Sequence, residues 1–123
     1  MANEKALLES IGKIEGDVNG VIASAVVDME SGMTLAAKSN RSDFDLTVAS
    51  AYNSELVKQK LKIMKALGLK AGLEDMLLTL TDQIHLIKLF PESGSFLYLA
   101  ADRAGTNLAI LRTAVNKHIG AVA

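Results

Sequence analysis

Apolar residues recur along this chain with two different periods. Leu7, Leu8, Ile11 and Ile14 stand three and four apart, with Glu4, Glu9 and Lys13 off the stripe. That spacing predicts a first helix, capped by Asn3 and ending near Gly16. Val21 to Asp28 is short, rich in β-branched residues and bounded by Asn19-Gly20 and Met29-Glu30-Ser31-Gly32, the pattern of a strand. The turn feeds a second strand, Met33 to Ala37, to complete a hairpin. After the polar loop Lys38 to Arg41, Ser42-Asp43-Phe44-Asp45 resembles a capping box in which Ser42 accepts a first-turn amide. It predicts a long second helix that reaches about Leu67 and stops at Gly68. Lys58, Lys60, Lys62 and Lys65 occupy its second half, where the helix dipole favours cations.

Strands are then expected over Leu73 to Thr81, Ile84 to Phe90 and Ser95 to Ala101, joined by turns at Thr81-Asp82-Gln83 and Pro91 to Gly94. Asp102 to Thr106 leads into a last helix, Asn107 to Ile119, with Leu108, Leu111, Val115 and Ile119 on one face and Gly120 beyond its end. There is no linker, repeat or low-complexity stretch, so residues 1–123 read as a single α/β (α+β) domain. Short turns make the five strands antiparallel. Met76 to Leu80 and Phe96 to Ala100 are apolar on both faces, which calls for helices on both sides and hence a three-layer sandwich.

The second helix is more apolar than one contact needs. At about 100° per residue, Leu46, Ala49, Leu56, Val57, Leu61, Ile63, Met64 and Leu67 fill one broad sector, and Phe44, Val48, Ala51 and Tyr52 fill its neighbour. Together they exceed the ~100° stripe that covers a sheet. Lys58, Lys62 and Lys65 take the remaining side, while Lys60 lies inside the apolar arc, its stem packed and its amine snorkelling out. A second buried contact follows, with either sector free to meet the sheet. The strand over Leu73 to Thr81 opens a meander and lacks Pro and Lys, features of an edge that invites pairing with another copy. The chain is therefore expected to be a homodimer, with Val48, Tyr52, Glu55, Leu56, Gln59 and Ile63 on the helix and Met76, Leu78 and Leu80 on the strand as interface residues.

Composition narrows the chemistry. Thirteen basic against fourteen acidic residues produce no global field to recruit nucleic acid or an anionic membrane, and no aromatics interleave the lysines. No cysteine is present, which removes disulfides, thiolate zinc sites and cysteine nucleophiles. Met1 to Lys5 lacks an apolar signal region, and apolar runs such as Val21 to Val27 fall short of the ~18 residues of a membrane span, so a cytoplasmic protein is expected. His85 and His118 are far apart and lack acids at metal-ligand spacing; no metal or other cofactor is expected. Gly68-Leu69-Lys70-Ala71-Gly72 lacks the Lys-Ser/Thr ending of a phosphate-binding loop.

Ser24 has no nucleophile elbow around it; its hydroxyl is expected to meet a backbone group or to admit a close helix. Asp28, Asp43, Asp45 and Asp102 stand at turns and helix starts, where carboxylates accept backbone amides. Arg41 and Arg103 read as solvated loop arginines in preference to phosphate-stabilising fingers. These residues supply no catalytic constellation, and a non-enzymatic protein is expected.

Gly20 to Asp28, Ser31-Gly32-Met33-Thr34-Leu35, the Ala-containing second helix and Tyr98 to Arg112 together resemble the Roadblock/dynein-light-chain family, in order and spacing across about Ala6 to Ile119. The resemblance implies a sheet with the first and last helices on one face and the long second helix on the other. It also implies dimers whose second helices pack antiparallel and whose sheets join edge to edge. Members of that family bind or regulate small Ras-like GTPases, scaffold them, or serve as dynein-associated light chains. A bacterial dimer acting on a motility GTPase is the nearest functional model, and a scaffold with no GTPase partner is the alternative.

Overall fold

The computed structural model describes residues 3–119; Gly120, expected to follow the last helix, lies outside them. The elements are α1 (Glu4–Asp17), β1 (Val21–Asp28), β2 (Thr34–Ser39), α2 (Leu46–Ala66), β3 (Asp75–Thr79), β4 (Gln83–Phe90), β5 (Ser95–Asp102) and α3 (Leu108–His118). All five strands pair antiparallel in one sheet of order β2-β1-β5-β4-β3. The central strand is thus the last one made, and its continuous apolar run reflects burial on both faces.

Two cores lie on either side of the sheet. Leu7, Ile11 and Ile14 of α1 and Leu111, Ala114, Val115 and Ile119 at α3 pack with Val26, Leu86, Leu97 and Leu99. Leu46 and Val57 of α2 pack with Ala23, Ala25, Val27, Ile87, Phe96 and Tyr98. Strand alternation sends successive residues to opposite cores, which gives the expected three-layer sandwich with one long helix facing two terminal ones.

Local signals set most boundaries. The Asn3 side chain accepts from Ala6 N, and that of Asn107 accepts from Ile110 N, so each caps its helix. The second helix departs from expectation: Asp45, not Ser42, is its N-cap and accepts from Val48 N at 3.1 Å. Ser42 stands three positions before that cap, in the loop where Asp43 pairs with Arg41. The second strand starts at Thr34 and runs on to Ser39, later than expected, and the third is confined to Asp75–Thr79, so Leu80 falls in the turn.

Gly32 binds the layers together. Its φ of +76° suits glycine, and a Cβ added there would come into ordinary contact with α2, 3.4 Å from Ala51 Cα and 3.5 Å from Ser54 Cβ. Asp28 closes the same turn by accepting from Ser31 N and from the Ser31 hydroxyl, which holds its carboxyl below the usual range.

Candidate functional site

The face of α2 that meets the sheet is half polar. Leu46, Ser50, Ser54 and Val57 are its buried residues. The Ser54 hydroxyl donates to Met29 O at 2.6 Å, whereas Ser50 Oγ is buried without a partner. Small side chains let the helix sit close on the β1–β2 turn, and Lys58 Nζ reaches Glu30 O at 2.7 Å. The opposite face carries Val48, Tyr52, Leu56 and Ile63, each between 38% and 75% exposed, with Glu55 and Gln59 exposed beside them. Leu56 and Ile63, which periodicity places in one sector with Leu46 and Val57, therefore part from those two buried residues and belong to the outer stripe. Lys58 lies on the helix flank that reaches the β1–β2 turn; Leu56 and Ile63 are about 140–160° round the helix from it at 100° per residue.

The strand β3 lies at one edge of the sheet, as expected. Leu89 N donates to Glu74 O and Leu80 N to Gln83 O. This register directs the peptide groups of Asp75, Leu77 and Thr79 away from β4, toward open space beyond the sheet. Leu77 packs into the core under α1 and α3, while Met76 and Leu78, both half-buried, sit on the α2 side. Leu80 is exposed just past the strand. All nine sequence-selected residues thus lie on the α2 side of the sheet, six on the outer half of the helix and three along the free edge.

Beside Leu78, a polar-aromatic cluster was missed by periodicity. His85, the cross-strand partner of Leu78, receives a hydrogen bond from Tyr98 OH on Nδ1 at 3.2 Å and donates from Nε2 to Gln83 Oε1 at 2.7 Å, in the neutral tautomer that satisfies both contacts. Tyr98 lies edge-on to its ring at 5.4 Å, and Phe44, just before α2, packs on both at 6.4 Å. Burial pushes the His85 imidazole down, against the opposing charge of Asp82, and pushes the Tyr98 phenol up to about 12. The cluster depends on strand register, which no local pattern encodes.

The residues weighed for catalysis do not converge. Ser24 Oγ is buried with no hydrogen-bond partner, so the expected backbone contact is not made; alternation puts Ser24 on the face of Val26, beneath the terminal helices. His118 pairs with Asp17 at the far ends of α3 and α1, which lowers the Asp17 carboxyl. Arg41 is locked in a two-pronged pair with Asp43 at 3.0 and 2.7 Å. Asp43 accordingly accepts a guanidinium and not the expected backbone amide, whereas Asp28, Asp45 and Asp102 do accept amides. Arg103 staples the β3–β4 turn through Leu80 O and Asp82 O. No group of three metal-ligating side chains occurs among the described residues. A shallow open groove between α1 and α3 is lined by Gly16, Asp17, Ala109, Ile110, Thr113, Ala114 and Lys117. Among the described residues, no helix is long and apolar enough to cross a membrane.

No family model matches the sequence, and no curated protein matches it by sequence. Solved structures do match. Myxococcus xanthus MglB superposes with a TM-score of 0.81 over 93% of this chain and 82% of its own, at 14% identity. A Roadblock/LC7 domain from Streptomyces avermitilis gives 0.77 over 99% and 95%, at 13% identity. The chain has the Roadblock/LC7 fold. A further structure, MglB with a tetrameric arrangement, gives 0.83 over 97% and 86%, at 13% identity. Within the Roadblock/LC7 fold of this chain, the outer stripe of α2 and the free edge of β3 are left uncovered by the described residues.

Proposed function

We propose that the chain works as a homodimeric regulatory or adaptor module that binds a small Ras-like GTPase and is not itself an enzyme. The outer apolar stripe of α2 carries this reading: Val48, Tyr52, Leu56 and Ile63 face solvent in the single chain, and Met76 and Leu78 of the edge strand β3 lie on the same side of the sheet as this helix. An antiparallel α2 from a second copy covers the stripe, while β3 pairs with its counterpart through the free peptide groups of Asp75, Leu77 and Thr79. Met76, Leu78 and Leu80 then flank the join, with Glu55 and Gln59 at its polar rim. The GTPase partner rests on the sequence resemblance, supported by likeness in fold to two structures called MglB, and the regulator acts by holding switch segments without donating a catalytic group.

Light scattering on the wild type and on Leu56→Glu tests the dimer; a wild-type protein that runs as a monomer defeats it. The partner is tested by affinity purification from the source cell, followed by GTP turnover of any recovered GTPase with and without this protein. Recovery of structural components alone, with no GTPase, favours a scaffold.

A further inference from the structure

Charge is distributed unevenly along the chain. Between Leu56 and Leu73 stand Lys58, Lys60, Lys62, Lys65 and Lys70, with no acid among them. Of 13 basic and 14 acidic residues in all, eight basic and 14 acidic therefore remain elsewhere. Among the described residues, only Lys58 of the five has a carboxylate at ion-pair distance, Glu55 at 3.6 Å. Lys62 and Lys65 project into solvent from the last turns of α2, on the flank away from Leu56 and Ile63, and Lys70 follows in the connection to β3. There Gly68, at a φ of +70°, reverses the chain and leaves Leu67 68% and Leu69 52% exposed. Two leucines and a group of unpaired lysines thus share one end of the molecule, outside the nine residues assigned to the dimer.

We propose that this end docks on an anionic lipid surface, with Leu67 and Leu69 entering the headgroup layer and Lys62, Lys65 and Lys70 meeting the lipid charge. Clustered basic residues on an amphipathic helix suit such a surface. The choice of lysine favours lipid over an acidic protein: a point charge on a flexible stem matches a diffuse anionic layer, whereas a forked guanidinium matches carboxylates held in fixed geometry. The near-neutral total charge is no obstacle, because attraction is local, decaying over about 8–10 Å at ordinary salt. The acidic remainder of the chain turns the molecule so that the lysine end leads.

The test is flotation of the full chain with vesicles of phosphatidylcholine alone and of phosphatidylcholine with about a third phosphatidylserine, at low and high salt. Binding is expected only to the serine-lipid vesicles and to weaken with salt. Each single lysine-to-alanine change at Lys62, Lys65 or Lys70 is expected to lower it about five-fold. The triple variant Lys62→Glu/Lys65→Glu/Lys70→Glu is expected to abolish it, and Leu67→Ser/Leu69→Ser to reduce it. Circular dichroism checks the fold of each variant. The charge-matched control Lys5→Glu/Lys13→Glu/Lys117→Glu, on α1 and α3, is expected to bind like the wild type. Absence of binding to the serine-lipid vesicles, or equal loss in the control, overturns the proposal. Retention on immobilised polyglutamate without vesicle binding overturns it too, and assigns the patch to an acidic protein.

Discussion

Under α1 and α3 the sheet is closed: Ile11, Ile14, Leu111 and Ile119 are fully buried, and the two helices pack on each other as well as on the strands. Under α2 the same sheet is covered by one helix, which buries two serines against it and turns Val48, Tyr52, Leu56 and Ile63 outward. The first face is finished by its own chain and carries the stability of the monomer. The second leaves an apolar stripe uncovered in the single chain, which the proposed dimer would cover. Apolar surface spent on the outward side of a helix contributes nothing to folding the single chain, so its presence is informative in a way that another buried leucine is not.

Substitutions on the two faces should separate those roles. Leu111→Ala, in the closed core, is expected to have the largest effect on stability, a loss of about 2–5 kcal/mol in urea unfolding, with oligomeric state unchanged where the protein is folded. Leu56→Glu is expected to halve the mass seen by light scattering while retaining the far-ultraviolet spectrum. If Leu56→Glu instead unfolds the protein at the dilution where the wild type remains folded, the contrast between the faces weakens. Asp45→Ala removes the α2 cap and is expected to cost about 1 kcal/mol, read from the denaturation midpoint. The smallest effects concern two buried hydroxyls with no partner, Ser24 on the closed face and Ser50 on the open one. Each is expected to become alanine with little change or a gain in melting temperature, since an unpaired buried polar group is removed.

His85 sharpens the comparison through pH. Its folded imidazole holds its proton less readily than a solvent-exposed histidine, which titrates at about 6.5, because of burial. The unfolded chain therefore binds more protons as pH falls below about 6.5, and this group lowers stability from there downward. His85→Phe is expected to flatten that dependence in melting curves recorded across the range, and an unchanged slope assigns it to other groups.

The exposed stripe of α2 and the edge position of β3 are both legible in the sequence. The outer stripe shows as an apolar arc wider than one contact needs, and the edge strand shows as a meander opening without Pro or Lys. The division of that arc was not legible, because Ser50 and Ser54 score as polar yet lie against the sheet. They are there because Gly32 brings the β1–β2 turn within contact of Ala51 and Ser54, where small side chains fit. The choice of Asp45 over Ser42 as the cap of α2 was not legible either. The cluster of Phe44, His85 and Tyr98 joins residues from three parts of the chain.

The order of elements, the caps at Asn3 and Asn107, the turns at Gly32 and Gly94 and the apolar surplus of α2 were determined by the sequence alone, since each depends on residues within a turn or two of one another. Tertiary structure alone decided which side of α2 is buried, where β5 sits in the sheet and what His85 touches. Those outcomes depend on which distant side chains are small enough, or suitably placed in register, to come within contact, and local periodicity carries no record of distant neighbours.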